Sequence, residues 1–177
     1  MRMICCLLAC MLGAQAAFGH GSDRLKVTET VVVPADPETV WAVVGDFHDL
    51  NWDPAVANTA GDGGNVVDSF RTVTLKAGGA ITEQLVIYDA EKMTYSTFLP
   101  HNDPAVLPVT NFSTILQLRP AASGGTEVEW RAAGFRGYPN DNPPASLNDD
   151  VAVKAMHDYL RAGLDELRRR FGISHGF

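Results

Sequence analysis

One long amphipathic segment at the C-terminal end of the sequence constrains the fold more than any other feature. Its apolar residues recur at helical spacing and form a single stripe: Val153, Met156, Leu160, Leu164, Leu167 and Phe171. Asn148, Asp149 and Asp150 stand at its start and arginines at its end, at 168–170, which complements the helix dipole. Gly172 fits the position just past the helix end. About 24 residues at 1.5 Å each give a helix of roughly 36 Å, long enough to cross a small sheet.

The chain before this segment predicts mostly β-strands. Residues 25–33 are rich in valine and threonine and end at Pro34, which indicates a strand. Asp36 and Pro37 then begin a short amphipathic helix that we expect to run to about Phe47.

An antiparallel meander is expected from there to residue 134. Two hairpins are predicted around glycine turns, from residues 66–76 with 80–89 and from 112–119 with 126–134, and a further strand from 93–99. In the last strand Val128, Trp130 and Ala132 alternate with charged residues, so one face of the sheet packs on a core. We predict an α+β protein in which a curved antiparallel sheet wraps around the long C-terminal helix, with a cavity between the two.

The first 19 residues have the pattern of a cleaved signal peptide. Arg2 precedes an apolar run over residues 3–12, and small residues follow as far as Gly19. The apolar run is about half the ~20 residues that a membrane-spanning helix needs. We expect export, with residues 1–19 removed and one domain over residues 20–177. Cleavage after Ala16 and a lipoprotein anchored at Cys10 are the alternatives.

Cysteine content and charge narrow the possible chemistry of the exported domain. All three cysteines, Cys5, Cys6 and Cys10, lie in the predicted signal peptide, so the mature chain would hold no disulfide or thiolate site. Loss of Arg2 leaves 13 basic residues against 21 acidic ones, which changes the net charge from −7 to −8. An acidic surface disfavours nucleic acid and anionic lipid headgroups, and it favours solubility or a basic partner.

No catalytic sequence motif is present, and we expect no cofactor, no metal and no catalytic residue. Three residues are candidates for the cavity. Glu83 is in register with Ile81, Leu85 and Ile87, so it either reaches a wet cavity or lies at the rim of its strand, because a sealed carboxylate is costly. His157 lies at the edge of the apolar stripe and should border the cavity or bond to a neighbouring side chain. Trp52 is expected in the core or the cavity wall.

Two proline-rich segments are the other candidates for function. Residues 99–108 contain His101, Asp103 and Pro108, and residues 136–144 contain Tyr138 and Asn140. Prolines stiffen a loop and so lower the ordering cost of docking to a partner. Each segment is therefore a candidate partner-docking loop, or else a plain connector.

Several parts of the chain resemble the START-like (SRPBCC) superfamily, whose helix-grip fold is shared with Bet v 1-like proteins. The similar parts are residues 31–47, Glu83 with Leu85, residues 88–95 and the long last helix. The resemblance covers essentially the whole exported domain and implies the helix-grip fold. It implies little about function, because this fold carries many activities.

A narrower set of segments resembles the MxaD-like family of periplasmic proteins encoded with bacterial methanol dehydrogenase. The segments are His20-Gly21, 43–47 (VVGDF), 52–56 (WDPAV), 88–93 (YDAEKM) and 107–111 (LPVTN). This resemblance implies a periplasmic accessory protein whose partners are methanol dehydrogenase and/or its cytochrome c acceptor, and whose role is to promote their interaction. Two alternatives stay open: a carrier of a small apolar ligand in the cavity, and a polyketide cyclase-like enzyme with His157 or Glu83 as general base.

Overall fold

The strand and helix order of the protein is that of a helix-grip fold. The computed structural model describes residues 23–61, 64–100 and 102–172, so the predicted signal peptide and His101 lie outside the described residues. The elements are β1 (Leu25–Val33), α1 (Pro37–Val44), β2 (Val56–Gly61), β3 (Phe70–Leu75), β4 (Ala80–Asp89), β5 (Thr94–Leu99), β6 (Val109–Pro120), β7 (Thr126–Arg136), a short 3-10 turn (Ala145–Leu147) and α2 (Asp149–Gly172). Within the described ranges, no helix combines the length and the apolar character that a bilayer crossing requires.

The seven strands form one antiparallel sheet in the order β1-β7-β6-β5-β4-β3-β2. The first strand pairs with the last, from Leu25 opposite Gly134 to Val33 opposite Thr126. The remaining neighbours are consecutive in the chain, as in a meander. The predicted fold class is confirmed.

The long helix α2 covers the inner face of this sheet, chiefly along β1 and β7. Its buried residues follow the predicted stripe and add two small residues that let the backbone approach the sheet: Ala152, Met156, Leu160, Gly163, Leu164 and Leu167. Val153 and Phe171 are only partly buried, because they lie at the edge and the end of the stripe.

Several element boundaries differ from the sequence prediction, each for a local reason. α1 ends at Val44 rather than at Phe47, because the N–H of Gly45 closes the helix on the Trp41 carbonyl. β3 begins at Phe70 rather than at residue 66, after Asp68 takes a positive φ of 71°. The predicted strand 93–99 begins at Thr94.

Strands near the C-terminal half are longer than predicted, and one strand was missed. β6 begins at Val109, and a bulge after Thr110, with Asn111 at φ 46°, breaks the alternation that would have revealed it. β7 extends to Arg136, which pairs with Val109. β2 was not predicted, because its sequence VANTAG has little apolar alternation and its pairing with β3 holds it in place.

A second bulge corrects the predicted face of Ile87. The β4–β5 register shifts between Leu85 and Ile87. As a result Ile87 is 55% exposed, while Ile81 and Leu85 stay buried on the face that holds Glu83. The prediction that Ile87 shares this face is therefore wrong.

Candidate functional site

A buried ion pair lies at the centre of the inner face of the sheet. Arg71 of β3 stands directly opposite Glu83 of β4, and their side chains are 1% and 0% exposed. The guanidinium donates to Glu83 Oε2 from Nε at 2.6 Å and lies 2.5 Å from it at Nη2. Burial tends to lower the pKa of Arg71, but the Glu83 carboxylate outweighs this and raises it, so the guanidinium stays charged.

The other oxygen of Glu83 is also satisfied by the protein's own side chains. Tyr159 of α2 donates its hydroxyl to Glu83 Oε1 at 2.8 Å, and Thr97 Oγ1 lies 3.4 Å from the same oxygen. Burial and the charge of Glu83 together hold the pKa of Tyr159 well above its ordinary value. Glu83 thus lies neither in a wet cavity nor at the strand rim, because Arg71 and Tyr159 enclose it.

Arg71 is held from the opposite side by the segment after α1. Its Nη1 donates to the carbonyl of Phe47, and its guanidinium lies 4.6 Å from the centre of the Phe47 ring. The cation therefore has a carboxylate, a carbonyl and an aromatic face around it, which offsets the cost of its burial.

Trp52 lies between α2 and the sheet, where the sequence placed it. It is 8% exposed, and its ring centre is 5.9 Å from that of Trp130. Trp130 in turn is 5.8 Å from Tyr159, which bonds Glu83. The structure therefore brings Trp52 and Glu83 into one interior cluster, joined through Trp130 and Tyr159.

Asp53 brings a second carboxyl group into this cluster. Desolvation by burial raises its pKa to about 6, although the charge of Arg71 partly opposes the rise. Its Oδ1 accepts a hydrogen bond from the Ala55 amide at 2.8 Å. A Cβ placed on Gly163 would lie 3.0 Å from its Oδ2, so the helix packs closely against it.

His157 lies outside this interior cluster. Its Nδ1 bonds Glu29 of the edge strand β1, and its side chain is 41% exposed. Arg161 also donates to Glu29, from Nε at 3.0 Å. Burial tends to raise the pKa of Glu29, but the hydrogen bonds from Arg161 and His157 outweigh this and lower it. His157 is thus a partly buried histidine bonded to a neighbouring acid, one of the two alternatives for it.

The two proline-rich loops come together at one end of the sheet. The N–H of Gly137 donates to the carbonyl of Pro108 at 2.9 Å, and a Cβ on Gly137 would lie 2.9 Å from Pro104. Between the loops and the 3-10 turn is a groove of about 430 Å³, lined by Asp103, Pro104, Ala105, Pro108, Ser146 and Leu147. We refer to these six residues as the loop groove.

Arg136 fixes the second loop from beneath. Its guanidinium donates to the carbonyls of Tyr138 at 2.8 Å and Asn140 at 2.9 Å, and to the Asp149 carboxylate at 3.1 Å. Because Arg136 is only 8% exposed, its charge is turned inward while the side chain of Asp149 is about half exposed. Asp103 lines the loop groove, and Asp141 and Asp150 are exposed in the second loop and in the first turn of α2, so this end of the molecule is acidic.

The sequence analysis missed Arg71, Asp53 and Tyr159 in the interior. Arg71 was detectable, because it shares the parity of Val73 and Leu75 on the inner face of β3. Tyr159 follows Met156 by three residues on the buried side of α2, which is also a helical repeat. Asp53 gave no such signal, because it lies in a turn.

The fold and the interior define a class of protein: a helix-grip domain whose long helix closes a sheet around a mixed aromatic and polar interior. The chain belongs to the family described as polyketide cyclase / dehydrase and lipid transport, whose family model matches residues 24–172. None of the curated protein sequences compared with this chain matches it significantly.

Solved structures share this fold at low sequence identity. The protein XoxI from Bacillus cereus is 24% identical with a TM-score of 0.71, and the match covers 86% of this chain and 99% of that one. Norcoclaurine synthase from Thalictrum flavum is 13% identical with a TM-score of 0.65, over 98% of this chain and 100% of that one. The major latex-like protein 151 from Panax ginseng is 14% identical with a TM-score of 0.63, over 84% and 97%. At these identities the likeness concerns the fold alone.

Proposed function

We propose that this chain is a periplasmic accessory protein of methanol oxidation that promotes electron transfer from methanol dehydrogenase to its cytochrome c acceptor. The family shown is broader than this role. The specific role is suggested by segments 43–47, 52–56, 88–93 and 107–111, which resemble MxaD-like proteins. The observation that carries it is the loop groove, because two proline-rich loops meet there in one ordered acidic surface.

The construction of the loop groove favours docking to another protein. One backbone hydrogen bond, from the N–H of Gly137 to the Pro108 carbonyl, joins the two loops, and the buried guanidinium of Arg136 holds the second loop, so both are ordered before any partner arrives. A preordered surface loses less conformational entropy on binding than a flexible one. The groove therefore suits a partner that must bind and leave quickly.

The charge around the loop groove favours a basic partner surface. The exposed carboxylates of Asp103, Asp141 and Asp150 attract cationic groups over roughly one Debye length, about 8 Å at physiological salt. Such attraction raises association rates more than final affinity. Interfaces of redox encounters are small, below about 1,200 Å², so a third protein that orients both partners can raise the rate of transfer.

The test is cytochrome reduction by methanol dehydrogenase with and without the purified mature protein, over a range of ionic strengths. We expect stimulation that fades as salt increases. The variant with Asp141→Asn and Asp150→Asn should lose most of it. Glu91→Gln is the matched control, because Glu91 is an exposed acid in the β4–β5 turn, at the other end of β5 from the loop groove. No stimulation at any salt concentration would overturn the proposal.

A second candidate function is a carrier of a small ligand inside the helix grip. The indole N–H groups of Trp52 and Trp130 are buried and have no hydrogen-bond partner among the described residues. With Asp53 beside Trp52, they offer two donors and a titratable acid to a small polar or amphiphilic molecule. Native mass spectrometry of the protein isolated from its own periplasm tests this directly. A bound organic molecule together with no stimulation of cytochrome reduction would favour the carrier.

For the enzyme alternative, the geometry replaces the general bases named from sequence. Glu83 is already bonded to Arg71 and Tyr159, and His157 is bonded to Glu29 at the flank of α2. Asp53, with a pKa of about 6, is the interior group suited to accept a proton near neutral pH. A cyclase-like activity would therefore be abolished by Asp53→Asn and retained in His157→Ala.

A further inference from the structure

The outer face of the sheet carries a pocket that neither the family nor the helix-grip interior accounts for. Its volume is about 260 Å³. It is lined by Lys26, Thr28, Ser113, Ile115, Arg131 and Ala133, from β1, β6 and β7, and we refer to these six residues as the outer-face pocket. The pocket exists because Ala133 is small, while the side chains around it are larger.

Cationic groups surround the outer-face pocket on a chain that is acidic as a whole. Arg24 donates from Nη2 to Ser113 Oγ at 3.0 Å, and its guanidinium lies 5.8 Å from the centre of the Phe135 ring. Arg131 is partly neutralised by Glu129, whose Oε1 lies 3.2 Å from its Nε. Arg24 and Lys26 have no carboxylate partner among the residues that the structure describes. The pocket therefore offers uncompensated positive charge beside an apolar floor.

A row of mixed apolar and polar side chains leads away from these cations across the same face. The strand registers place Lys26, Ala133, Ser113, Phe98, Gln84 and Phe70 side by side on six neighbouring strands. At 4.8 Å between strands this row is about 24 Å long. Phe70 at its far end is 47% exposed, and Ile115 and Ile87 on the next row are 37% and 55% exposed. The face is thus cationic at the outer-face pocket, with apolar side chains at Ile115 and Phe98 beside it and polar ones between.

We propose that the outer face binds a single anionic amphiphile, an alkyl carboxylate whose head lies at the outer-face pocket and whose chain lies along the row toward Phe98. Lys26, Arg24 and Thr28 supply charge and hydrogen-bond donors to the head. Ile115 and Phe98 cover the chain, which removes apolar surface from water on both sides. This proposal does not depend on the docking role of the loop groove.

The experiment is isothermal titration calorimetry of the purified mature protein with dodecanoate below its micelle concentration. We expect one dodecanoate per chain, much weaker binding of butanoate, and no comparable binding of dodecyltrimethylammonium. Lys26→Gln should weaken dodecanoate binding about two- to fivefold, the usual range for one exposed ion pair. Ala133→Leu, which fills the pocket, should weaken it at least tenfold.

Matched variants keep the test specific to this face. Lys76→Gln removes the charge of an exposed lysine beyond the end of β3 and should change the affinity less than twofold. Phe98→Ser should weaken dodecanoate but leave butanoate unchanged. The proposal is overturned if dodecanoate does not bind. It is equally overturned if Lys26→Gln and Ala133→Leu bind as the unaltered protein does, or if the cationic amphiphile binds as well.

Discussion

The interior around Glu83 and the loop groove both concentrate polar groups, but they satisfy them in opposite ways. In the interior, Arg71 and Tyr159 both bond to Glu83; Arg71 and Glu83 are almost completely buried, and Tyr159 is partly buried. Around the loop groove, backbone hydrogen bonds and Arg136 hold the two loops in place, while the side chains of Asp103 and Asp141 remain exposed to solvent.

This difference separates stability from recognition. Polar groups that are hydrogen-bonded to one another inside the protein have no donor or acceptor left for a partner. Breaking those hydrogen bonds lowers the free energy of unfolding. Exposed carboxylates on an ordered loop contribute little to stability and are available to a partner. Substitutions in the two regions should therefore have separable effects, which can be ranked.

The largest effect is expected from breaking the buried ion pair. Glu83→Ala leaves Arg71 charged and buried without its partner, and removal of one partner of such a pair costs about 3–5 kcal/mol. Urea unfolding of the two proteins at pH 7 measures the difference. The matched double variant Arg71→Met with Glu83→Leu should recover most of the loss, because the charge is removed together with its partner. A loss below about 1 kcal/mol in Glu83→Ala would show that the interior is more hydrated than the structure indicates.

The next largest effect is expected from Asp53→Asn, which should raise the free energy of unfolding instead of lowering it, by an amount that depends on pH. The pKa of Asp53 is about 6 in the folded protein, above its value of about 3.9 in an unfolded chain, so the folded state binds more protons between these values. Stability contributed by the protonated form is therefore lost as the pH rises from about 4 through about 6. Asp53→Asn removes this loss and keeps an acceptor for the Ala55 amide.

Unfolding free energies of the unaltered protein and of Asp53→Asn should accordingly diverge with pH. We expect the variant to be more stable by on the order of 2 kcal/mol at pH 8, and the difference to disappear below about pH 4. A constant difference at all pH values would mean that Asp53 titrates normally in the folded state.

A smaller effect is expected where α2 packs against the aromatic cluster. In Gly163→Ala the new Cβ would lie 2.7 Å from Trp52 Cζ3 and 3.1 Å from Trp130 Cζ3, so the helix must shift. Overpacking of this kind costs about 1–3 kcal/mol, although alanine favours the helix by about 1 kcal/mol. We expect a net loss near 1 kcal/mol in thermal or urea unfolding. Ala162→Gly, one residue earlier, is the control that reports helix propensity alone. A higher free energy of unfolding in Gly163→Ala would show that a methyl group fits between α2 and the aromatic cluster without displacing the helix.

The smallest effect on stability should come from the loop groove. Asp141→Asn with Asp150→Asn removes two exposed charges and should lower the unfolding free energy by less than about 1 kcal/mol, chiefly because Asp150 lies in the first turn of α2 and interacts with the helix dipole. The same variant is the one expected to lose salt-sensitive stimulation of cytochrome reduction. A large loss of stability would mean that these acids hold the loops together, and that the two regions are not separable.

The sequence was sufficient for the architecture and insufficient for the interior. The stripe on α2 and the alternation in β7 come from burial of one face, which leaves a periodic pattern that can be read without a structure. β2 and the first residues of β6 gave no such pattern, because pairing with neighbours and a bulge determine them rather than local preference.

The candidate site was predictable only residue by residue. Glu83 was found because an acid on an apolar strand face is unusual, but its partners Arg71 and Tyr159 lie 12 and 76 residues away and meet it only through the tertiary fold. His157 lies at the edge of the apolar stripe, so its side chain could point to the interior or to a neighbouring side chain. The hydrogen bond to Glu29 of the edge strand β1 determines the second of these. The meeting of the two proline-rich loops likewise depends on the β6–β7 register, which neither loop sequence contains.

We propose that partners bind at the loop groove and that the interior around Trp52 and Glu83 does not open when they bind. The most direct test is a ¹H–¹⁵N spectrum of the mature protein titrated with methanol dehydrogenase. If the partner binds at the loop groove, we expect the amide signals of residues 103–108 and 137–150 to shift or broaden first and to recover at high salt. The indole signals of Trp52 and Trp130 should not change. Changes in those two indole signals, with the loop amides unaffected, would contradict this proposal.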